Sequence, residues 1–172
     1  MLAAILLFFT QSVWAGITVT LTNASPHTVH VVFFGSGLEI SETNATLAAG
    51  ASRSFDLKSI SNGRIYLSQE EELDFSGGEP DGANSADVNY YKRFDKVELT
   101  YTPGQWAGGN ANLTAVDFYG MPLLLETLIG DVVIEHFTLT TNQTGLAVQS
   151  AIQNVLTGTN PGRAVVTNVS GG

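Results

Sequence analysis

Two carboxylates, Glu98 and Asp117, have the sequence surroundings expected of groups that do chemistry. Each lies in a run of alternating apolar and polar residues, VELTYT at 97–102 and LTAVDFY at 113–119. Such alternation predicts half-buried β-strands. If the two strands bring both carboxylates to one concave surface, the pair could act as acid and base across a glycosidic bond. The competing interpretation is that each acid is simply solvated on the exposed face of its strand.

The alternation also assigns the two faces of each strand, because successive strand residues point to opposite sides of a sheet. Three residues of the first strand are predicted to face a core: Val97, Leu99 and Tyr101. The opposite face then carries three polar residues: Glu98, Thr100 and Thr102.

In the second strand, Val116 and Phe118 are the natural core residues, which turns Asp117 and Tyr119 outward. By the same alternation Thr114 faces away from Asp117. A β-bulge is therefore needed if Thr114 is to share a site with Asp117.

Short alternating segments separated by turn residues predict a mainly antiparallel β protein. Residues 17–22 and 28–34 are predicted to pair as a hairpin, and residues 35–37 to form a turn. Further strands are predicted at 51–57, 63–68 and 131–141. One helix is predicted at 144–156, where four apolar residues recur at helical spacing: Val148, Ala151, Ile152 and Val155.

Charge and composition limit the partners of this 172-residue chain. It has 16 acidic and 7 basic residues, a formal net charge of −9, and no cysteine. Nucleic acid is a poor candidate partner because no basic stripe is available to neutralise phosphates, whereas a neutral polysaccharide is compatible. The missing cysteines exclude thiol catalysis and leave the fold to be held by its core.

We expect neither a cofactor nor a metal site. His27 and His30 have no further ligand at metal-binding spacing, so both are interpreted as surface or hydrogen-bonded histidines. The acidic segment 69–92 lacks the regular spacing of a calcium loop, and we interpret it as a solvated loop over the rim of the fold.

The N-terminus, MLAAILLFFTQSVWA, has an apolar stretch too short to span a bilayer. Val13 and Ala15 are small residues at the spacing that signal peptidase prefers, and Gly16 follows. We predict a secretory signal peptide cut after Ala15 and a secreted, extracellular protein with no membrane attachment after cleavage. The alternative is an exposed N-terminal strand of the mature protein.

The two runs, together with Trp106, resemble the signature of a known family. VELTY followed by ANLTAVDFYGMPLLL is similar to glycoside hydrolase family 64, endo-acting β-1,3-glucanases related to thaumatin-like proteins. In that family a strand with Glu-x-Thr precedes a strand of the form Asn-x-Thr-x-Val-Asp-Phe-x-Gly-x-Pro-Leu. Further matches lie in GITVTLTNAS and GRIYLS, so the resemblance runs from Gly16 to about Gly158.

The resemblance implies a thaumatin-like antiparallel β-sandwich or barrel with one C-terminal helix. It divides the chain into the signal peptide at 1–15, a β domain with the carboxylates at 16–142, and the start of a truncated α/β lobe at 143–172. About half of the family's catalytic region, including one wall of its groove, is then expected to be missing from this sequence. We expect a monomer.

The resemblance also implies roles for individual residues. Glu98 matches the catalytic glutamate and is assigned general acid, and Asp117 matches the catalytic aspartate and is assigned general base. The family inverts the anomeric carbon, which requires carboxylates about 6.5–9.5 Å apart. Thr100 and Thr114 resemble residues that hydrogen-bond sugar hydroxyls, and Trp106 resembles a groove tryptophan that stacks on a pyranose. The alternative for Trp106 is a tryptophan that packs in the core or in a loop. Two further residues join the substrate-binding set because they share the exposed strand faces: Thr102 and Tyr119.

Three functions from different classes remain open at this point. The first is an endo-β-1,3-glucanase. The second is a non-catalytic β-glucan-binding module with idle carboxylates. The third is a structural or defence protein of thaumatin type.

Overall fold

The computed structural model describes residues 16–104, 109–113, 120–129 and 131–138. Within these ranges the chain forms eight β-strands and no helix: β1 (Ile17–Thr22), β2 (Val29–Ile40), β3 (Asn44–Leu47), β4 (Ser52–Gln69), β5 (Phe94–Tyr101), β6 (Gly109–Leu113), β7 (Leu124–Ile129) and β8 (Val132–Thr138). In the described part of the chain there is accordingly no helix of a length and hydrophobicity that would cross a bilayer. The predicted helix at 144–156 and the predicted signal peptide lie outside these residues.

Six strands form one antiparallel sheet around β4. Its order is β3-β2-β4-β5-β6, and β1 pairs with the first part of β4. The remaining strands, β7 and β8, form a separate antiparallel pair. The mainly β, antiparallel architecture predicted from the sequence is confirmed, and its two sheets fit a β-sandwich.

Strand β4 joins two segments that the sequence predicts as separate strands, 51–57 and 63–68. The break between them is a bulge, with Asn62 in the left-handed region (φ 47°) and a register shift between Ile60 and Gly63 against β5. A Cβ on Gly63 would lie 2.2 Å from the Ile60 side chain and 2.6 Å from the Leu99 carbonyl oxygen. The glycine therefore permits a close approach of β5 at the bulge, and the chain continues without turning.

The predicted hairpin of residues 17–22 with 28–34 is wrong, because β1 pairs with β4. Two side-chain hydrogen bonds between hydroxyls join β1 to β4, one between Thr20 and Ser54 and one between Thr22 and Ser52. The connection after β1 is held by Asn23, whose buried amide nitrogen lies within hydrogen-bonding distance of three carbonyl oxygens, those of His27 before β2 and of Leu47 and Ala48 at the end of β3. This places β1 beside the first part of β4 and leaves β2 to pair with β3 and β4.

The predicted turn at 35–37 is also wrong. Strand β2 runs through it as an irregular strand with register shifts against β4, and Gly37 takes a positive φ of 58°. The turn residues produce bulges instead of reversing the chain. Strands β3 and β7 were not predicted, while β8 agrees with the strand predicted at 131–141 over Val132–Thr138.

One face of the large sheet carries the hydrophobic core. Val97 and Leu99 are buried as predicted, and Tyr101 packs against the core while only partly buried. Phe33 and Phe55 contact each other across this core with ring centroids 4.9 Å apart. The buried members from the sheet are Val29, Val31, Phe33, Leu47, Phe55, Leu57, Ile60, Ile65, Leu67, Val97 and Leu99, and Leu123 joins them from the segment before β7.

Candidate active site

Glu98 lies on the face of the large sheet opposite the core. In register it pairs with Arg64 on β4 and with Asn112 on β6. Directly opposed residues of antiparallel strands point to the same side, so these three side chains share one polar surface. Thr100 lies on the same face, where it pairs with Asn110, and Thr102 follows the end of β5 as a half-buried residue.

Two cations flank the Glu98 carboxylate. Its Oε1 is 3.9 Å from Arg64 Nη2 and 4.0 Å from Lys96 Nζ. The Glu98 side chain is 34% exposed, so a ligand or water can still reach it. The arrangement presents a partly desolvated carboxylate that is attracted by positive charge on two sides.

Arg64 is itself held in place from three sides. Its Nε lies 2.6 Å from Glu79 Oε1, its Nη1 donates a hydrogen bond to the Asn62 carbonyl oxygen at 2.9 Å, and its Nη2 approaches Glu98. Tyr66 donates its hydroxyl proton to the same Glu79 oxygen at 2.5 Å. The chain of contacts Tyr66–Glu79–Arg64–Glu98 therefore links a buried phenol to the candidate acid.

Burial is the main reason that the pKa of Tyr66 rises well above its ordinary value, and its hydrogen bond to Glu79 adds to the effect. The phenol consequently stays a proton donor over the range in which proteins are stable. The sequence patterns did not mark Tyr66, Glu79 or Arg64 as contributors to the site. The signal available for Arg64 was its place in GRIYLS, where it alternates with buried residues.

The connection between β4 and β5, residues 70–93, contains nearly all of the predicted acidic segment 69–92. It supplies Glu79 and covers part of the polar face. Its Phe75 stacks on Phe34 with centroids 5.6 Å apart and meets Tyr66 edge-on at 5.5 Å. Inside the segment, the buried Asn89 donates to the Asp74 carbonyl oxygen and accepts from the Asp74 N–H. The segment is thus packed on the sheet through Phe75 and ordered by its own polar groups, while most of its residues are exposed, in agreement with the predicted solvated loop over the rim of the fold.

Within the described ranges, no three His, Asp or Glu side chains form a group that could hold a metal ion. His27 Nδ1 lies 2.9 Å from Glu70 Oε1, and His30 lies within hydrogen-bonding distance of the Glu70 carbonyl oxygen and the Thr46 hydroxyl. The interpretation of both histidines as hydrogen-bonded residues is confirmed.

The other predicted site residues lie outside the described ranges: Trp106, Thr114, Asp117 and Tyr119. The residues on either side of the Asp117 segment are described. Leu113 ends β6 opposite Val97 of β5. At the other end, the Gly120 N–H donates to the buried carboxylate of Asp95, which is also in β5. Both ends of the segment therefore contact the strand that carries Glu98.

Comparison with known proteins supplies the family. A search among curated proteins gives no match. A family model for glycoside hydrolase family 64, described as β-1,3-glucanase, matches residues 15–161, which is most of the chain. The matched range includes the whole sheet, Glu98 with its two cations, and the segment between Leu113 and Gly120. The chain therefore belongs to glycoside hydrolase family 64, the β-1,3-glucanase family.

Proposed function

We propose that this chain hydrolyses β-1,3-glucan by an inverting mechanism, with Glu98 as general acid and Asp117 as general base. The observation that carries the proposal is the setting of Glu98, a half-exposed carboxylate on a polar sheet face between Arg64 and Lys96. Membership of the β-1,3-glucanase family supports the substrate class.

The two cations would stabilise the carboxylate that Glu98 becomes once it has given up its proton. As the glycosidic oxygen leaves, Glu98 transfers its proton and becomes a carboxylate. Arg64 and Lys96, each about 4 Å away, attract that new negative charge. Because Arg64 is braced by Glu79 and Asn62, it offers this charge without first having to be ordered.

The proposed base is constrained by chain length. Asp117 is three residues before Gly120, so it lies within roughly 11 Å of that residue. Gly120 is bonded to Asp95, three residues before Glu98 on the same strand. An inverting enzyme needs about 6.5–9.5 Å between its two carboxylates to leave room for the attacking water, so the proposal requires Asp117 to lie at that distance from Glu98.

The same proposal assigns the substrate-binding residues. Thr100 lies two residues from Glu98 on the same face, a distance of about 7 Å along the strand, and would hydrogen-bond hydroxyls of an adjacent sugar. Thr102, Thr114 and Tyr119 are assigned the same kind of contact, and Trp106 is assigned stacking on a pyranose ring. We further propose export of the chain with cleavage after Ala15, and action as a monomer on extracellular glucan.

The test is release of reducing ends from laminarin by the wild type, Glu98→Gln and Asp117→Asn. Each amide keeps the shape of the side chain and removes its proton chemistry, so turnover should fall about 10²–10⁴-fold in each variant. Retention on insoluble β-1,3-glucan should remain nearly unchanged. The stability change for Glu98→Gln should be at most about 1 kcal/mol, because its ion pairs are partly exposed.

Glu42→Gln is the matched control. Glu42 is also a half-exposed glutamate paired with an arginine, Arg53, but it lies between β2 and β3. This variant should hydrolyse laminarin like the wild type. Near-normal hydrolysis by Glu98→Gln would refute the assignment of the acid. Binding of glucan by a wild type that releases no reducing ends would instead support the non-catalytic glucan-binding module.

A further inference from the structure

Asp95 is a carboxylate in a position that the core requires to be apolar. It lies in β5 between Phe94 and Lys96, on the side of the strand that faces the core, and is only 1% exposed. A buried charge is unfavourable unless it is hydrogen-bonded. Burial is the main cause that raises the pKa of Asp95, and hydrogen bonds from three backbone N–H groups act in the opposite direction.

Those three hydrogen bonds connect two different parts of the chain. Oδ1 accepts from the Lys96 N–H at 2.8 Å, within β5 itself. Oδ2 accepts from two consecutive N–H groups of another part of the chain, Gly120 at 3.0 Å and Met121 at 3.1 Å. The carboxylate therefore joins β5 to the point where the chain returns after the Asp117 segment.

Gly120 is held by one further hydrogen bond and lies in a position that excludes any side chain. Arg93 Nε donates to the Gly120 carbonyl oxygen at 3.2 Å, so Gly120 is bonded through both its N–H and its C=O. A Cβ at residue 120 would lie 1.7 Å from the Phe94 carbonyl oxygen. Hydrogen bonds from Arg93 and to Asp95 thus hold one glycine at the edge of the strand, where it lies close to the Phe94 carbonyl oxygen.

An apolar side chain at position 95 would fill the core without the desolvation penalty of a carboxylate. What the carboxylate adds is position, because its hydrogen bonds fix where Gly120 and Met121 lie along β5. Glu98 is three residues further along the same rigid strand, and Asp117 is three residues before Gly120. Under the proposed function, the hydrogen bonds at Gly120 and Met121 hold one end of the chain segment that carries Asp117 against the strand that carries Glu98.

We propose that Asp95 is a positioning residue for glucan hydrolysis, which holds the Gly120–Met121 backbone on β5 and so sets the Asp117 segment relative to Glu98. The inference rests on the proposed function. Asp95 does not touch the substrate in this scheme, and it acts only through the backbone of Gly120 and Met121.

The test compares Asp95→Asn with Asn23→Ala. An asparagine keeps the volume, but it accepts at only one of the two oxygen positions, and its neutral amide oxygen accepts more weakly than a carboxylate. The bonds to Gly120 and Met121 are therefore lost in one orientation of the amide and weakened in the other. We expect the kcat on laminarin to fall at least tenfold at a temperature where the variant is fully folded, with retention on insoluble glucan within twofold of the wild type. Asn23→Ala removes a buried side chain with three bonds to backbone oxygens away from Glu98, and its kcat should stay within twofold.

Hydrogen exchange supplies a readout that does not depend on activity. Asp95→Asn should speed exchange at the amides of Gly120 and Met121, whereas Asn23→Ala should leave them unchanged. If Asp95→Asn folds poorly, Arg93→Met tests the same attachment of Gly120 to β5. This variant loses the hydrogen bond to the Gly120 carbonyl oxygen, so kcat should fall about threefold.

Unchanged kcat in Asp95→Asn and Arg93→Met, with Glu98→Gln inactive, would overturn the positioning role and leave the proposed function intact. Unchanged hydrogen exchange at Gly120 and Met121 in Asp95→Asn would show that the Asp95 carboxylate does not hold these two amides on β5. Normal hydrolysis by Glu98→Gln would instead refute the proposed function, so the two failures are distinguishable.

Discussion

Tyr66→Phe tests whether the hydrogen bond from Tyr66 to Glu79, the residue that pairs with Arg64 next to Glu98, stabilises the protein. The substitution removes one hydroxyl and keeps the ring, which is packed against Phe75 at 5.5 Å and Phe94 at 6.2 Å. No cavity of consequence should form. The loss is therefore confined to the hydrogen bond that Tyr66 donates to Glu79.

The magnitude follows from the partner's charge and exposure. A hydrogen bond to a charged group contributes about 1.5–3 kcal/mol. Glu79 is 34% exposed, so water replaces part of the lost bond. We expect the free energy of unfolding at pH 7 to fall by about 1–2 kcal/mol, which for a chain of this size lowers Tm by about 3–6 °C.

The pH dependence gives a second, independent signature. The pKa of Tyr66 is raised in the folded state from its ordinary value of 10.0. Above pH 10 the unfolded chain loses this proton while the folded protein keeps it, so the wild type should lose about 1.4 kcal/mol per pH unit there. The phenylalanine variant lacks this loss, so the stability difference between the two proteins should shrink as pH rises above 10.

Urea unfolding of both proteins at pH 7, 9, 10.5 and 11 measures these quantities. Equal stabilities at pH 7 would show that the Tyr66–Glu79 bond is not formed. A difference that stays constant up to pH 11 would show that Tyr66 is not held as a buried, protonated donor.

Three further predictions concern the attachment of Gly120 to β5 and the hydrophobic core. Gly120→Ala should abolish laminarin hydrolysis while the far-UV circular dichroism stays β-type, because its Cβ would collide with the Phe94 carbonyl oxygen at 1.7 Å; an active variant would contradict the close approach. Leu57→Ala, at a fully buried core position, should lower the free energy of unfolding by about 2–5 kcal/mol in urea titrations, and a change below 1 kcal/mol would be inconsistent with its burial. Because burial raises the pKa of Asp95 above its ordinary 3.8, the wild type should lose stability relative to Asp95→Asn as pH rises from about 4; parallel stability curves between pH 3.5 and 6.5 would count against this sign.

The sequence and the tertiary structure determined different parts of this protein. Period-two alternation is a local property, so it was enough to predict β1, the C-terminal part of β4, and the two faces of β5 with Val97 and Leu99 buried. The long motif around Glu98 and Asp117 was also sufficient to indicate the family that the comparison shows.

Strand pairing could not be predicted in the same way, because it depends on contacts between distant residues. The sequence suggested that β1 pairs with its neighbour β2, but hydroxyl pairs with Ser52 and Ser54 and the tie at Asn23 direct it to β4. Glycines at 35–37 suggested a turn, and only the register against β4 shows that they form bulges within a strand.

The sequence indicated some residues of the candidate site, and the tertiary structure added others. Glu98 carried a local signal, since it lies in an alternating strand of a recognisable motif. Arg64 carried only its position in the predicted strand GRIYLS, and Glu79 and Asp95 carried no signal. Their roles arise from distant partners: Glu98 is 34 residues from Arg64, Arg64 is 15 residues from Glu79, and Gly120 is 25 residues from Asp95. Sequence spacing reports which residues share a strand face, whereas the charge around Glu98 and the anchoring of Gly120 exist only once β4, β5 and the 70–93 segment have packed together.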